Sequence, residues 1–181
     1  AKAENISPSG SAEMTYILNV KDEDLQVSAQ CMLDIKDAPL KELIIKYDST
    51  LMLNRVEGPC ALTNDYEISG SGKFKTLKIP FRPDTMGSTT VNIFFEKSFR
   101  NQETLGIPQL TLESAKSVRG YMLLAASKGL VINAEEMKEL RQVYTGSAPI
   151  QYPGLQFVYR LKNQDWQGTL KIKHETPSVV S

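Results

Sequence analysis

The chain has 181 residues, enough for one large domain or two small ones and enough to bury a core without disulfide or metal staples. Its 21 basic and 21 acidic side chains give a formal net charge of +0, so no overall field draws it to nucleic acid or to an anionic membrane. No stretch approaches the roughly 18 consecutive apolar residues of a membrane-spanning helix, and no basic-then-apolar signal peptide opens the chain; direct membrane insertion by this segment is not expected, and any signal or anchor is expected to lie outside it.

Taken in chain order, residues 1–12 are small and polar, with Pro8 and Gly10, and read as a linker. From Leu25 the apolar residues alternate as Leu25, Val27, Ala29, Cys31, Leu33 and Ile35, the period of a half-buried strand. A strand of that length spans roughly 36 Å and implies a large sheet. It is expected to pair with Met14 to Val20 through the charged turn Lys21-Asp22-Glu23-Asp24.

Further strands are predicted over Leu40 to Tyr47 and Leu51 to Val56, before the breaker Gly58-Pro59. Tyr66 to Ile68 and Phe74 to Phe81 flank the turn Ser69-Gly70-Ser71-Gly72 and form another expected hairpin, and Val91 to Glu96 is expected to pair with Phe74 to Phe81. Ile107 to Leu112 reads as an edge segment, because Pro108 cannot donate to a central ladder. Tyr121 to Ala126 is apolar throughout, as in a central strand covered on both faces.

One short helix is predicted over 134–144, with Asn133 as cap and Met137, Leu140 and Tyr144 at helical spacing. The last predicted hairpin turns at Lys162 to Asp165 and sets Leu161 opposite Trp166, Tyr159 opposite Gly168, Phe157 opposite Leu170 and Leu155 opposite Ile172. Its other side carries Gln156, Arg160, Gln167, Thr169, Lys171 and Lys173. The pattern predicts an all-β, mostly antiparallel fold: a single large β-sandwich of the supersandwich kind over 13–174, with 175–181 an exit segment toward a following module.

The chemistry-bearing residues do not combine. His174 is the one histidine, so neither a histidine metal site nor a serine or cysteine triad can be assembled. Gly70-Ser71-Gly72-Lys73 lacks the upstream glycine and the following Ser or Thr of a phosphate loop and reads as a hairpin turn. Asp22-Glu23-Asp24 lacks the ligand spacing of a calcium loop, and no two acids stand out as a glycosidase pair. Cys31 and Cys60 match no zinc or redox spacing, and free thiols are the expectation, with Cys31 on the apolar side of its strand. No catalytic residue, metal or cofactor is assigned, and the chain is read as non-enzymatic.

Aromatic platforms for sugar rings are the remaining binding chemistry, drawn from seven tyrosines, six phenylalanines and one tryptophan. Trp166 with Tyr159 is the obvious pair, but the alternation puts both in the core. Tyr152, in the turn Gln151-Tyr152-Pro153-Gly154, is the candidate sugar contact.

Several blocks occur in a recognisable order: Val56-Glu57-Gly58-Pro59, Thr76-Leu77-Lys78-Ile79-Pro80-Phe81, Ile107-Pro108, Arg119-Gly120-Tyr121 with apolar Met122 to Ala126, Leu140-Arg141-Gln142-Val143, and Phe157-Val158-Tyr159-Arg160 leading to Trp166 and Thr169-Leu170-Lys171-Ile172. Over roughly residues 25 to 177 the chain resembles a recurrent β-rich module of very large bacterial envelope-associated proteins that have no assigned activity. It departs from that pattern after Gly58-Pro59, where Cys60 to Tyr66 replace the usual tryptophan. The resemblance implies a structural or interaction module of the cell envelope, periplasmic or extracellular, whose partners are neighbouring domains of the same parent chain, another envelope protein or a glycan. The alternative is a carbohydrate-binding domain attached to a glycan-processing protein.

Overall fold

The computed structural model describes residues 9–100, 102–115 and 117–175. Residues 1–8 of the linker expected over 1–12, and residues 176–181 of the exit segment expected over 175–181, lie outside the described residues. Strand β1 (Ser9–Val20) begins inside the expected linker, because Ala12 is already buried and the glycine at position 10 lets the backbone run close to Asp34 of the next strand. Strand β2 (Asp24–Lys36) follows the charged turn and pairs antiparallel with β1 along its whole length, Val20 against Leu25 and Ser9 against Lys36. Its odd positions from Leu25 to Ile35 are buried, as the alternation predicts.

The chain then alternates between layers. Strands β3 (Glu42–Asp48), β5 (Glu67–Ser69) and β6 (Phe74–Pro80) form one sheet, and β4 (Met52–Glu57) and β7 (Gly87–Ser98) join β1 and β2 in another. The hairpin of β5 with β6 is present, Glu67 opposite Lys78. The predicted pairing of β6 with β7 is not: β7 lies between β2 and β4, and β6 between β3 and β5. Matching apolar faces tell which side of a strand is buried, and two strands that face each other across a core satisfy that pattern as well as two side by side.

Strands β8 (Thr104–Gly106) and β9 (Leu110–Leu112) are each at the edge of a small sheet, with Pro108 between them. The Ile107 N–H donates to the Gly168 carbonyl at 2.9 Å on one side of the proline, and the Gln109 carbonyl accepts from the Asp48 N–H at 2.9 Å on the other. This segment therefore stitches a three-stranded sheet to a four-stranded one, and the two make up the second layer. Gln164 reinforces the seam by imitating a strand residue, accepting from the Leu112 N–H at 2.8 Å and donating to its carbonyl at 2.9 Å.

Strand β10 (Ser117–Ala126) runs parallel to β1, Met14 beside Gly120 and Val20 beside Ala126, and is buried on both faces from Met122 onward. The segment expected to be helical is instead β11 (Leu130–Lys138) and β12 (Leu140–Val143). Glu136 and Glu139 have φ of 51° and 58°, and these two kinks shift the apolar phase so that Met137 and Leu140 fall at a helix-like interval. A single 3-10 turn, Thr145–Ser147, follows.

Strands β13 (Leu155–Leu161) and β14 (Gln167–His174) are not hairpin partners. β13 sits between β12 and β10 in the first layer, and β14 between β11 and β8 in the second. Residues 130–143 and 158–174 thus form one long antiparallel ribbon that bends from one layer into the other at Glu139, whose carbonyl accepts from Lys162 N–H at 3.0 Å. Tyr159, Leu161, Trp166, Leu170 and Ile172 all reach the same core, but from opposite walls. Gly168 leaves room for Met137 and Ile107, which a Cβ would meet at 2.3 and 2.9 Å, and not for Tyr159.

The result is a β-sandwich of a seven-stranded sheet, in the order β12-β13-β10-β1-β2-β7-β4, against the composite layer β5-β6-β3-β9 and β8-β14-β11. Trp166 and Tyr16 meet at its centre with ring centroids 5.5 Å apart, and the Tyr16 hydroxyl donates to the Leu110 carbonyl at 3.2 Å. Both cysteines are free, and burial pushes the Cys31 thiol up to about 12. Burial, and secondly the neighbouring Cys31, also hold the Tyr16 phenol far above its ordinary value. Both groups keep their protons in the folded chain while the unfolded chain loses them, so their contribution is complete below the unfolded thiol pKa of about 8.5 and declines as pH rises through the folded values. Urea midpoints are therefore expected to fall steadily from pH 9 to pH 11. Cys31→Ala should make that decline shallower, and an unchanged slope would show that the thiol ionises in the native state.

Candidate ligand-binding face

The face of the seven-stranded sheet that points away from the core is divided in two by composition. Reading across the strands, Val143, Val158, Leu123 and Ile17 form an apolar row on β12, β13, β10 and β1, which continues as Ser28, Phe94 and Arg55 on β2, β7 and β4. The apolar half makes a second small core of Ile17, Leu123 and Val158, onto which Ala148 and Tyr152 fold. Those two residues belong to the tip of the bent ribbon, residues 144–154, which lies over this half of the sheet. Gly154, at φ 76°, brings the tip back against Ala126, whose carbonyl a Cβ there would meet at 2.3 Å.

The polar half stays open. Between the ribbon tip and strand β4 lies a hollow of about 490 Å³, floored by Gln26, Ser28, Gln30, Asn92 and Phe94 and walled by Ile150 and Tyr152 on one side and Asn54 and Arg55 on the other. The register of β4 against β7 slips between Leu53 and Arg55, so Asn54 is a bulged residue that turns the strand edge toward the hollow. Arg55 lies over the Phe94 ring with its guanidinium carbon 3.9 Å from the centroid, and its Nε donates to Glu57 at 2.8 Å. Its charge is thus matched locally. Gln30 and Asn92 sit directly opposite each other on β2 and β7, half-buried, and their amides have no hydrogen-bond partner among the described residues.

Tyr152, the candidate read from the sequence, lines this hollow, though it is half-buried against the second core and not an open turn residue. Trp166 and Tyr159 are 1% and 5% exposed and lie in the main core, remote from it. Gln30, Asn54, Arg55, Asn92 and Phe94 are not singled out by sequence reasoning. One signal was present: the outward positions of β2 carry Gln26, Ser28 and Gln30 where a merely solvated face carries lysine and glutamate. Gln156, placed by the pattern on a solvent side, instead clamps β11, accepting from Ile132 N–H and donating to the Leu130 carbonyl, both at 2.9 Å.

Elsewhere the polar residues are spent locally. In the turn Lys21 to Asp24, Glu23 pairs with Arg100 at 3.2 Å. Among the described residues, no three His, Cys, Asp or Glu side chains converge, and no helix is long and apolar enough to cross a membrane.

No protein-family model matches the chain, and no curated protein matches it by sequence. Solved structures match it by shape. Native leukotriene A4 hydrolase from Saccharomyces cerevisiae aligns over 92% of this chain and 29% of its own, at 13% identity and a TM-score of 0.51. An M1 zinc metallopeptidase from Deinococcus radiodurans aligns over 91% of this chain and 42% of its own, at 8% identity and a TM-score of 0.45. A non-cellulosomal cohesin from the archaeon Archaeoglobus fulgidus aligns over 67% of this chain and 94% of its own, at 11% identity and a TM-score of 0.36. The hydrolase likeness is one of fold, and the chain spans less than a third of that protein's length.

Proposed function

We propose that this chain is a non-catalytic interaction module of a larger bacterial envelope protein, and that the open half of the seven-stranded sheet's outer face is its working surface. The observation that carries the reading is the hollow itself, with the adjacent, half-buried amides of Gln30 and Asn92 in its floor, open to an incoming ligand, and a folded-back loop as its wall. The non-catalytic reading is supported by the lining itself, which offers amides, the hydroxyls of Ser28 and Tyr152 and one arginine matched by Glu57, and no nucleophile beside a base.

Hydroxyl-radical labelling tests the reading. On intact envelopes, Phe94, Ile150 and Tyr152 of the parent protein should label at least threefold less than in the purified chain. Equal labelling in both settings would remove the working surface. Turnover of ester, peptide or glycoside substrates that tracks folded protein and falls with Asn92→Ala would overturn the non-catalytic assignment.

A further inference from the structure

We infer that the ligand of this face is a neutral oligosaccharide chain, an inference that rests on the proposed working surface and gives it a chemical class. The first ground is charge. Within the larger hollow the hydrogen-bonding groups are the amides of Gln26, Gln30, Asn54 and Asn92 and the hydroxyls of Ser28 and Tyr152, while the one cation, Arg55, is committed to Glu57 and to the Phe94 ring. A smaller neighbouring hollow adds Arg119, paired with Glu13 at 3.5 Å, and Arg160, which donates to the Tyr121 hydroxyl at 3.1 Å, so each guanidinium of the two hollows already has a partner. Each side-chain amide both donates and accepts, which matches hydroxyls that do the same.

The second ground is shape. The smaller hollow of about 160 Å³, lined by Thr15, Met32, Arg119, Tyr121 and Arg160, shares Gln30 and Ile150 with the larger one of about 490 Å³. The two hollows adjoin at Gln30 and at Ile150, a side chain left 37% exposed at the ribbon tip. Two adjoining hollows suit several linked rings rather than a single small molecule. Tyr152 supplies the third ground: its ring is fixed against Ile17, Leu123 and Val158 and borders the larger hollow, the arrangement that lets an aromatic side chain cover the apolar face of a sugar at little entropic cost. An extended peptide would find the same amides and could also reach the edge strand β4, whose Asn54 and Arg55 wall the larger hollow, so the test includes a peptide as competitor.

The test is calorimetric titration of the purified chain with neutral hexasaccharides of β-linked glucose, β-linked N-acetylglucosamine and mannose, alongside polygalacturonate and an uncharged hexapeptide. Binding to at least one neutral hexasaccharide is expected, with affinity at least tenfold lower for Gln30→Ala at unchanged thermal midpoint and for Tyr152→Ala measured below that variant's own midpoint, and little change between low and moderate salt. Silence across the neutral sugars, binding that both variants retain, or preferential binding of the hexapeptide or polygalacturonate would overturn the inference. If these sugars fail while envelope labelling still shows protection, the working surface stands and the glycan assignment falls. If both fail, the surface falls as well.

Discussion

Gly120→Ala is expected to cost more than about 4 kcal/mol, a large share of the roughly 5–15 kcal/mol that stabilises an ordinary domain, and to leave much of the chain unfolded or insoluble at physiological temperature. Gly120 stands beside Met14 where β10 runs parallel to β1 in the middle of the seven-stranded sheet. A Cβ there would lie 1.7 Å from the Met14 carbonyl oxygen and 2.7 Å from its carbon. Those are backbone atoms held by neighbours on both sides, so no rotamer change relieves the overlap, and the ladder itself must open. Gly106→Ala is the matched control: it lies in strand β8, nothing stands within 4 Å of its Cβ position, and the change should stay within about 0.5 kcal/mol. Urea denaturation followed by circular dichroism reads both. A Gly120→Ala protein as stable as the parent would mean that β1 and β10 are not neighbours in this register.

Trp166→Ala should cost about 3–5 kcal/mol through the cavity it leaves. The side chain is 1% exposed, packs on Tyr16 and follows the loop that carries the ribbon from one layer to the other. Its indole N–H is buried and has no hydrogen-bond partner among the described residues, an expense the fold already carries. Trp166→Phe removes that donor together with part of the ring, and the two effects oppose each other, so its loss should be under about 2 kcal/mol. Because Trp166 is the one tryptophan, circular dichroism must replace fluorescence as the probe. A Trp166→Ala midpoint equal to wild type would place the residue outside the core.

How much of this was legible beforehand follows from what alternation encodes. Leu25 to Ile35 announced a buried face and a strand, and Tyr121 to Ala126 announced burial on both faces, because each pattern has a single extended solution. The same patterns do not encode partners. Phe157, Tyr159 and Leu161 match Trp166, Leu170 and Ile172 as well across a sandwich as along a hairpin, and the bend at Glu139 decides between them through two positive-φ residues that the sequence does not flag. Of the residues that line the hollow, the sequence singles out Tyr152. The other polar residues there come from β2, β4 and β7, distant in sequence, and only the strand order brings Gln30, Asn92 and Arg55 together.

The parallel pairing of β1 with β10 also sets a timetable for synthesis. Strand β1 can close its hairpin with β2 as soon as both leave the ribosome, but its other edge waits for β10. At about 5–20 residues per second that wait lasts roughly 5 to 20 s, during which a long apolar strand offers a row of free N–H and C=O groups to any other nascent chain. Polypeptides that contain this fold in tandem would face that hazard once per copy. Their yield should depend on a holdase that shields the first hairpin, more than on the final stability of the sandwich.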